Sequence, residues 1–395
     1  MHQRSEPGPE ASSRSLLRLA VLWLSGADLR LTVLAVPPVL PLIHRQFALS
    51  EGAVGALSGL PPLLFGLAAI PGSLLIARLG ARGAAIVGLF CVAAASAARG
   101  VGPSAPMLFA MTFLMAAGIA VVQPALPSLV GEWFARRPGF ATAVYANGLL
   151  IGEAAAAALT IPLILPLVGG SWPASFAVWS IPVAATALLL LPCGSGARRS
   201  IRAEPARWWP DWRHRETWQL GLMLGGTGGL YFASNAFIPD YLHAVGRPHL
   251  VTICLAALNL GQLPASLALL LWARRLGNSK TAVVLMQILA LSGLGALVAA
   301  QPWAVAAGAG LIGFCCAFTL IVTLALPPQI APPGDVHRLS AGMFAIGYSL
   351  SFVVPLLGGK IWDMTGVPAA AFLAAGGSAV IVLACALAFR FPEAH

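Results

Sequence analysis

Long, continuously apolar runs separated by short polar connections recur along the whole chain. A run of about 20 apolar residues is long enough to cross a bilayer as a helix. The runs do not alternate in polarity as barrel strands do, so they predict transmembrane helices. We predict twelve, over residues 16–43, 52–77, 83–102, 106–131, 140–166, 173–192, 217–241, 250–273, 280–300, 303–328, 338–360 and 368–389.

Composition supports an integral membrane protein. Of the 395 residues, 58% are hydrophobic and 9% are charged, whereas soluble domains carry about 25% charged residues. The net charge of +10 does not indicate nucleic-acid binding, because the bases lie in short clusters between apolar runs. The six cysteines lack ligand-type spacing, so neither a metal nor another cofactor is predicted.

The basic residues are distributed unevenly between the two sides of the predicted membrane domain. One alternating set of connections holds 18 of the 23 bases, the other set holds three, and Arg30 and Arg99 lie inside predicted helices. Cytoplasmic connections are enriched in Lys and Arg. The pattern therefore predicts a bacterial-type inner membrane protein with an even number of helices and both termini in the cytoplasm.

The longest connection, about residues 193–216, divides the chain into two sets of six predicted helices. Residues 1–192 and 217–395 form the predicted halves, and Arg78-Leu79-Gly80 in the first resembles Arg275-Leu276-Gly277 in the second, 197 residues later. The fold class predicted is thus all-α, with two pseudo-symmetric six-helix bundles and a site between them. The connection itself carries six arginines and three tryptophans. It is interpreted as a segment at the lipid headgroups, with a regulatory or partner-binding segment as the alternative.

The connection between the second and third helices, IARLGAR, resembles the signature loop G-x-x-x-D-R-x-G-R-R of the major facilitator superfamily. Arg78, Gly80 and Arg82 match this motif, and the resemblance implies that they form a gating loop. Ser73 stands where the first glycine belongs, and Ala77 stands where the aspartate belongs. Because these two residues depart from the motif, we expect gating through this loop to differ from the family pattern.

Residues Trp133 to Gly148 resemble the junction between the fourth and fifth helices in anion-carrying branches of that superfamily. Three further segments, Asp28 to Ile43, Gly118 to Val130 and Gly228 to Leu242, resemble more narrowly its cyanate and nitroimidazole permease-like branch. The resemblance implies a transporter that works as a monomer on a small anionic substrate, and that the first helix lines a central cavity.

Arg30 is the main candidate for binding such a substrate. It lies about 18 Å inward from Arg18 at 1.5 Å per residue, in the middle of the membrane. A guanidinium at that depth is costly and indicates a functional site. The alternative is a structural ion pair with a carboxylate of a neighbouring helix. Asp28, two residues away, projects to a different side of the helix.

Two other charged residues lie within predicted helices. Arg99 is expected near the outer surface, where its side chain reaches the interface, in a structural role. Glu153 is the only acid deep in the fifth helix. It is predicted either to pair with Arg30 or Arg99 or to act as a proton-coupling group.

Neutral polar side chains complete the candidate site. Each can donate a hydrogen bond to a small anion without adding charge, or can bridge helices instead. These candidates are Gln123, Asn147, Tyr231, Asn235 and Tyr348, with Asn259 and Gln262 ranked below them.

These patterns predict a secondary transporter that moves a cyanate-like or small organic anion by rocking of its two halves. The alternative within the same class is an exporter of amphipathic, weakly acidic or nitro-aromatic compounds. A receptor lacks support because no sizeable soluble domain is present, and an enzyme lacks support because the sequence contains no HExxH, GxSxG or phosphate-cradling motif.

Overall fold

The computed structural model describes residues 9–47, 51–102, 104–194, 207–276, 279–299, 302–332 and 334–392. Across these residues every regular element is helical. The α-helices are α1 (Pro9–Leu34), α2 (Val36–Phe47), α3 (Glu51–Leu67), α4 (Ala69–Ala98), α5 (Ala105–Trp133), α6 (Pro138–Leu159), α7 (Leu165–Leu167), α8 (Trp172–Leu190), α9 (Arg215–Ala244), α10 (Val251–Leu260), α11 (Gln262–Leu276), α12 (Lys280–Val298), α13 (Pro302–Ala325), α14 (Pro327–Ile330), α15 (Val336–Thr365) and α16 (Phe372–Ala388). A π-helical turn, Thr160–Ile164, links α6 to α7, and 3-10 turns at Pro248–Leu250 and Pro368–Ala371 precede α10 and α16.

The predicted all-α fold is confirmed, and the predicted count of twelve spans is approximately consistent with the structure. Within the described residues, ten helices are long and apolar enough to cross a membrane. An eleventh span consists of α3 and the first part of α4, which departs from helical geometry at Gly80 (φ 76°, ψ 164°). Glycine adopts such a positive φ without the steric penalty of a side chain. The twelfth span is α9, whose 30 residues extend over about 45 Å.

Small residues bring α1 and α6 into backbone contact. A Cβ atom added at Gly26 would lie 2.0 Å from the carbonyl oxygen of Tyr145, and one at Gly148 would lie 2.1 Å from that of Trp23. At Gly152 it would lie 2.2 Å from the carbonyl oxygen of Ala27. Interfaces of membrane helices use small residues in this way because van der Waals packing drives helix association in lipid. The contact fixes Arg30 and Glu153, which lie on these two helices, relative to each other.

The two predicted halves meet mainly at one end of the molecule. We call it the arginine-rich end, because Arg18, Arg82, Arg137, Arg215 and Arg338 lie there. An apolar core at this end combines residues of α4, α5 and α8 with residues of α13 and α15. At the opposite end α2 packs on α1, α3 and α8 of its own half, while α10 packs on α9, α11 and α13 of the other. The halves therefore diverge away from the arginine-rich end.

Candidate functional site

A cavity of about 1150 Å³ lies between the two halves. Helices α1, α2, α3, α5 and α6 line one side, and α9, α10, α11, α13 and α15 line the other. Most of the wall is apolar. The charged and polar residues that line it include Arg30, Glu153, Tyr231, Asn235, Asn259, Gln262 and Tyr348.

Arg30 reaches the cavity from α1 with a partly exposed side chain. Its guanidinium is hydrogen-bonded to the side chain of Tyr348 on α15, and Glu153 and Tyr231 lie close enough to interact with its charge. Among the described residues, no ion pair joins Arg30 to Glu153. Because a guanidinium has five N–H donors, the contact with Tyr348 leaves donors that can bind a ligand.

Tyr231 is the centre of a hydrogen-bond network that spans the cavity. Its hydroxyl oxygen lies 3.3 Å from Oε1 of Glu153 on α6 and 2.5 Å from Oδ1 of Asn259 on α10. A hydroxyl has one proton, so it donates to one of these acceptors at a time. The Nε2 of Gln262 donates to the same oxygen at 3.2 Å. The network joins the first half, through Glu153, to the second.

Asn235 and Asn259 extend this network along α9 and α10. The Nδ2 of Asn259 donates to Oδ1 of Asn235 at 3.2 Å, and the Nδ2 of Asn235 donates to the carbonyl oxygen of Tyr231 at 3.1 Å. The residues ranked lowest from sequence, Asn259 and Gln262, are thus integral to the network. Their spacing of three residues places them on one helical face, which is the signal that would have raised their rank.

Gln123 and Asn147 form bridges between the halves and lie outside the cavity wall. The Nε2 of Gln123 on α5 donates to the hydroxyl of Tyr348 at 2.7 Å. Asn147 on α6 accepts from Nε1 of Trp23 at 2.9 Å and donates to Oγ of Ser266 on α11 at 3.1 Å. Nothing in the sequence singled out Trp23 or Ser266, because isolated residues of these types are common in membrane helices.

The expected interfacial position of Arg99 is wrong. The side chain is 0% exposed and lies at the edge of the cavity. Its Nη2 donates to the carbonyl oxygen of Thr32 and to Oγ of Ser96, each at 2.9 Å, and its guanidinium lies 4.2 Å from the ring centre of Phe176. The carbonyl group and the aromatic face hold the side chain inside the bundle, away from the interface.

Asp28 points away from the cavity. It is 1% exposed and is hydrogen-bonded to the side chain of Thr186 on α8. Within the described part of the chain, neither Asp28 nor Arg99 takes part in an ion pair. Asp28 is therefore not the partner of Arg30, as its position two residues away indicated.

The residues of the expected gating loop lie at the arginine-rich end. Gly80 forms the turn within α4, and Arg78 is exposed beside it. The Nη1 of Arg82 donates to the carbonyl oxygens of Leu191 and Cys193, at 3.0 and 2.7 Å. These bonds satisfy carbonyl groups just after the last turn of α8, where a cation is favourable. Arg82 therefore stabilises the first half internally.

Comparison with known proteins identifies the class of this fold. A family model described as Major Facilitator Superfamily matches residues 22–248. The crystal structure of the transporter FucP in an outward conformation is similar in fold, with a TM-score of 0.76 at 15% identity, over 95% of this chain and 99% of that one.

Two relatives with named substrates are similar in sequence. The chain is 26% identical over 356 residues to the cyanate transport protein CynX of Escherichia coli (strain K12), covering 88% of this chain and 90% of the relative. It is also 26% identical over 359 residues to the 2-nitroimidazole transporter of Escherichia coli (strain K12), covering 89% of each.

Proposed function

This chain belongs to the Major Facilitator Superfamily of membrane transporters, and we propose that it carries a small monovalent anion by alternating access of its two halves. The observation that carries the proposal is the position of Arg30. Its guanidinium faces the cavity between the halves, with Tyr348 as its hydrogen-bonded neighbour and without a direct ion pair to Glu153.

The charge of the site favours a ligand that carries one negative charge. An anion that enters the cavity loses water and must receive hydrogen bonds in return. Arg30 supplies a permanent charge and several donors. Tyr231, Tyr348 and Asn235 also lie on the wall, where hydroxyl and amide groups can replace further water. Arg99, at the edge of the cavity, is hydrogen-bonded to Thr32 and Ser96, so Arg30 is the cation that meets the ligand. One such contact is weak enough to release the anion on the other side, as transport requires.

Cyanate is the first substrate to test. The relative named for cyanate transport aligns over most of both chains, and cyanate carries the single charge that one arginine matches. The resemblance in sequence and the charge at Arg30 therefore lead to the same class of ligand.

A second candidate substrate is an amphipathic, weakly acidic or nitro-aromatic compound. The cavity of about 1150 Å³ is far larger than a triatomic anion needs, and Phe65, Met115, Phe232 and Leu320 contribute apolar wall. The relative named for 2-nitroimidazole transport aligns over a similar length. A planar polar aromatic compound fits such a wall, because aromatic side chains favour stacked or edge-on contact with rings.

Alternating access follows from the way the halves pack. They touch at the arginine-rich end and diverge at the other. If the arginine-rich connections face the cytoplasm, as the distribution of bases predicts, the cavity opens to the outside. Rocking of the halves about the cavity would then expose Arg30 to the cytoplasm.

Flux into liposomes that contain only this protein tests the proposal. We expect uptake of cyanate that saturates and that other small monovalent anions inhibit. 2-Nitroimidazole serves as the probe for the second candidate. Uptake of 2-nitroimidazole that cyanate does not inhibit would overturn the small-anion assignment in favour of that candidate. Absence of flux for both compounds would overturn both.

A further inference from the structure

Residues 207–214, the last part of the connection between the halves, form an irregular segment at the arginine-rich end. We call this segment the strap. Trp208, Trp209 and Trp212 lie in it and pack edge to face, with ring centres 5.2 Å apart for the first pair and 6.5 Å apart for the second. Trp218, in the first turn of α9, continues the row at 6.0 Å from Trp212.

The strap is bound to the second half by several polar contacts. The Nε of Arg338 on α15 donates to the carbonyl oxygen of Trp209 at 2.9 Å, and Nε2 of His337 lies 3.2 Å from that of Arg207. Thr217 on α9 donates from its hydroxyl to the carbonyl oxygen of Asp211 at 3.0 Å. These bonds satisfy backbone carbonyl groups that irregular structure leaves free.

Close packing adds to this attachment. A Cβ atom added at Gly342 on α15 would lie 3.1 Å from Cβ of Pro210, so the proline ring rests directly on the helix. Pro210 itself is buried. The strap is thus fixed to α15 along its length and to α9 at its end.

One hydrogen bond among the described residues crosses from the strap to the first half. The hydroxyl of Ser73 on α4 donates to the carbonyl oxygen of Trp208 at 2.6 Å, and Ser73 is 0% exposed. This serine occupies the position of the first glycine of the signature motif, and a glycine has no hydroxyl to donate. Four residues later, Ala77 occupies the position of the motif's aspartate.

We propose that the strap is the latch that holds the arginine-rich ends of the two halves together. In this chain, the hydroxyl of Ser73 and the backbone of the strap provide a cross-half contact at a loop that lacks its aspartate. The inference rests on the alternating access proposed above, in which the halves separate at this end.

The strap is attached more firmly to the second half than to the first, and this difference determines which bond breaks when the latch opens. The strap is held to the second half by Arg338, His337, Thr217 and the packing of Pro210. Its described hydrogen bond to the first half is the one from Ser73. When the ends separate, the strap moves with α15, and the bond between Ser73 and Trp208 breaks.

Thiol labelling of the full-length protein in lipid nanodiscs tests this latch. Ser340→Cys provides the reporter, because Ser340 is 0% exposed at the start of α15 and its hydroxyl has no partner among the described residues. Labelling by a water-soluble maleimide at position 340 is read by peptide mass spectrometry. Native Cys254, 0% exposed in α10, reports general unfolding in the same sample.

Adding Ser73→Ala should raise the rate of labelling at position 340 by about 2- to 10-fold, as expected for one lost hydrogen bond. Ser180→Ala is the matched control, because the described hydrogen bond of Ser180 goes to Ala177 of its own helix, and it should leave the rate unchanged. An unchanged rate with Ser73→Ala, or a parallel rise at Cys254, would overturn the latch. The assay uses no substrate, so its result does not depend on which compound the protein carries.

Discussion

Arg30 and Glu153 line the same cavity from two helices in backbone contact, and no ion pair joins them in the described structure. A direct pair would neutralise the guanidinium and leave little attraction for an anion. The carboxylate is instead 3.3 Å from the hydroxyl of Tyr231. The charge of Arg30 therefore interacts with that of Glu153, while its guanidinium keeps N–H donors for a ligand.

Removing the charge of Arg30 should strongly weaken anion binding. Arg30→Ala should weaken cyanate binding by roughly 10- to 100-fold, since a hydrogen bond to a charged group contributes about 1.5–3 kcal/mol. Arg30→Lys keeps the charge but loses the planar fork, so we expect an intermediate loss. Binding is measured by ligand-induced thermal shift. Arg137→Ala, an exposed residue at the arginine-rich end, is the control, and unchanged affinity in Arg30→Ala would remove this residue from the site.

Neutralising Glu153 should strengthen binding and flatten its dependence on pH. The charged and titratable groups that interact with it are Arg30 and Tyr231. The carboxylate of Glu153 is a negative charge that competes with the anion for Arg30. Glu153→Gln should bind cyanate more tightly at neutral pH, by on the order of 10-fold.

The pH profile of cyanate uptake into liposomes provides the measurement for Glu153. The control is Glu132→Gln, because Glu132 is exposed at the end of α5. If Glu153→Gln retained the wild-type pH profile, Glu153 would be assigned to helix packing instead of proton coupling.

The hydroxyl of Tyr231 should contribute to ligand binding through the network that it organises. Tyr231→Phe keeps the ring and removes the group that contacts Glu153, Asn259 and Gln262. We expect affinity for cyanate to fall by about 5-fold, the effect of one hydrogen bond of about 1 kcal/mol. Tyr241→Phe is a matched control, since its hydroxyl donates to the carbonyl oxygen of Val298 outside the cavity. Equal effects of the two changes would argue against a special role for Tyr231.

The contact between α1 and α6 should not tolerate a larger residue. Gly152→Ala would place a methyl group 2.2 Å from the carbonyl oxygen of Ala27, and backbone atoms cannot move aside as a flexible side chain can. Overpacking of this kind costs about 1–3 kcal/mol. The melting temperature in detergent should fall, whereas Gly139→Ala, with no atom within 4 Å of the added group, should not lower it. Equal melting temperatures would show that the two helices can separate without cost.

Hydropathy and charge were sufficient to predict the helices, because crossing a bilayer imposes length and apolarity on each span. The prediction of a functional Arg30 used the same physics, since a charge in mid-membrane must face something polar. The interruptions between α1 and α2, within the first predicted span, and between α3 and α4, within the second, were less predictable. A kink changes backbone direction without changing hydropathy.

The direction in which a side chain points was the least predictable property. Gln123 and Asn147 carry amide groups that can donate hydrogen bonds to a ligand, yet these groups bridge helices. Arg99 illustrates the same limit: rise per residue gave its depth along the helix axis but not its distance from the bundle surface. The contact of Ser73 with the strap depends on the path of an irregular segment, for which hydropathy carries no information.

Tyr348 accepts hydrogen bonds from both Arg30 and Gln123, two residues of the first half, while it belongs to α15 of the second. An anion that draws the guanidinium towards itself takes one of these two donors from the tyrosine. The loaded protein then keeps fewer polar links across the base of its cavity than the empty one. Substrate binding would in this way weaken the attachment of the two halves to each other at Tyr348.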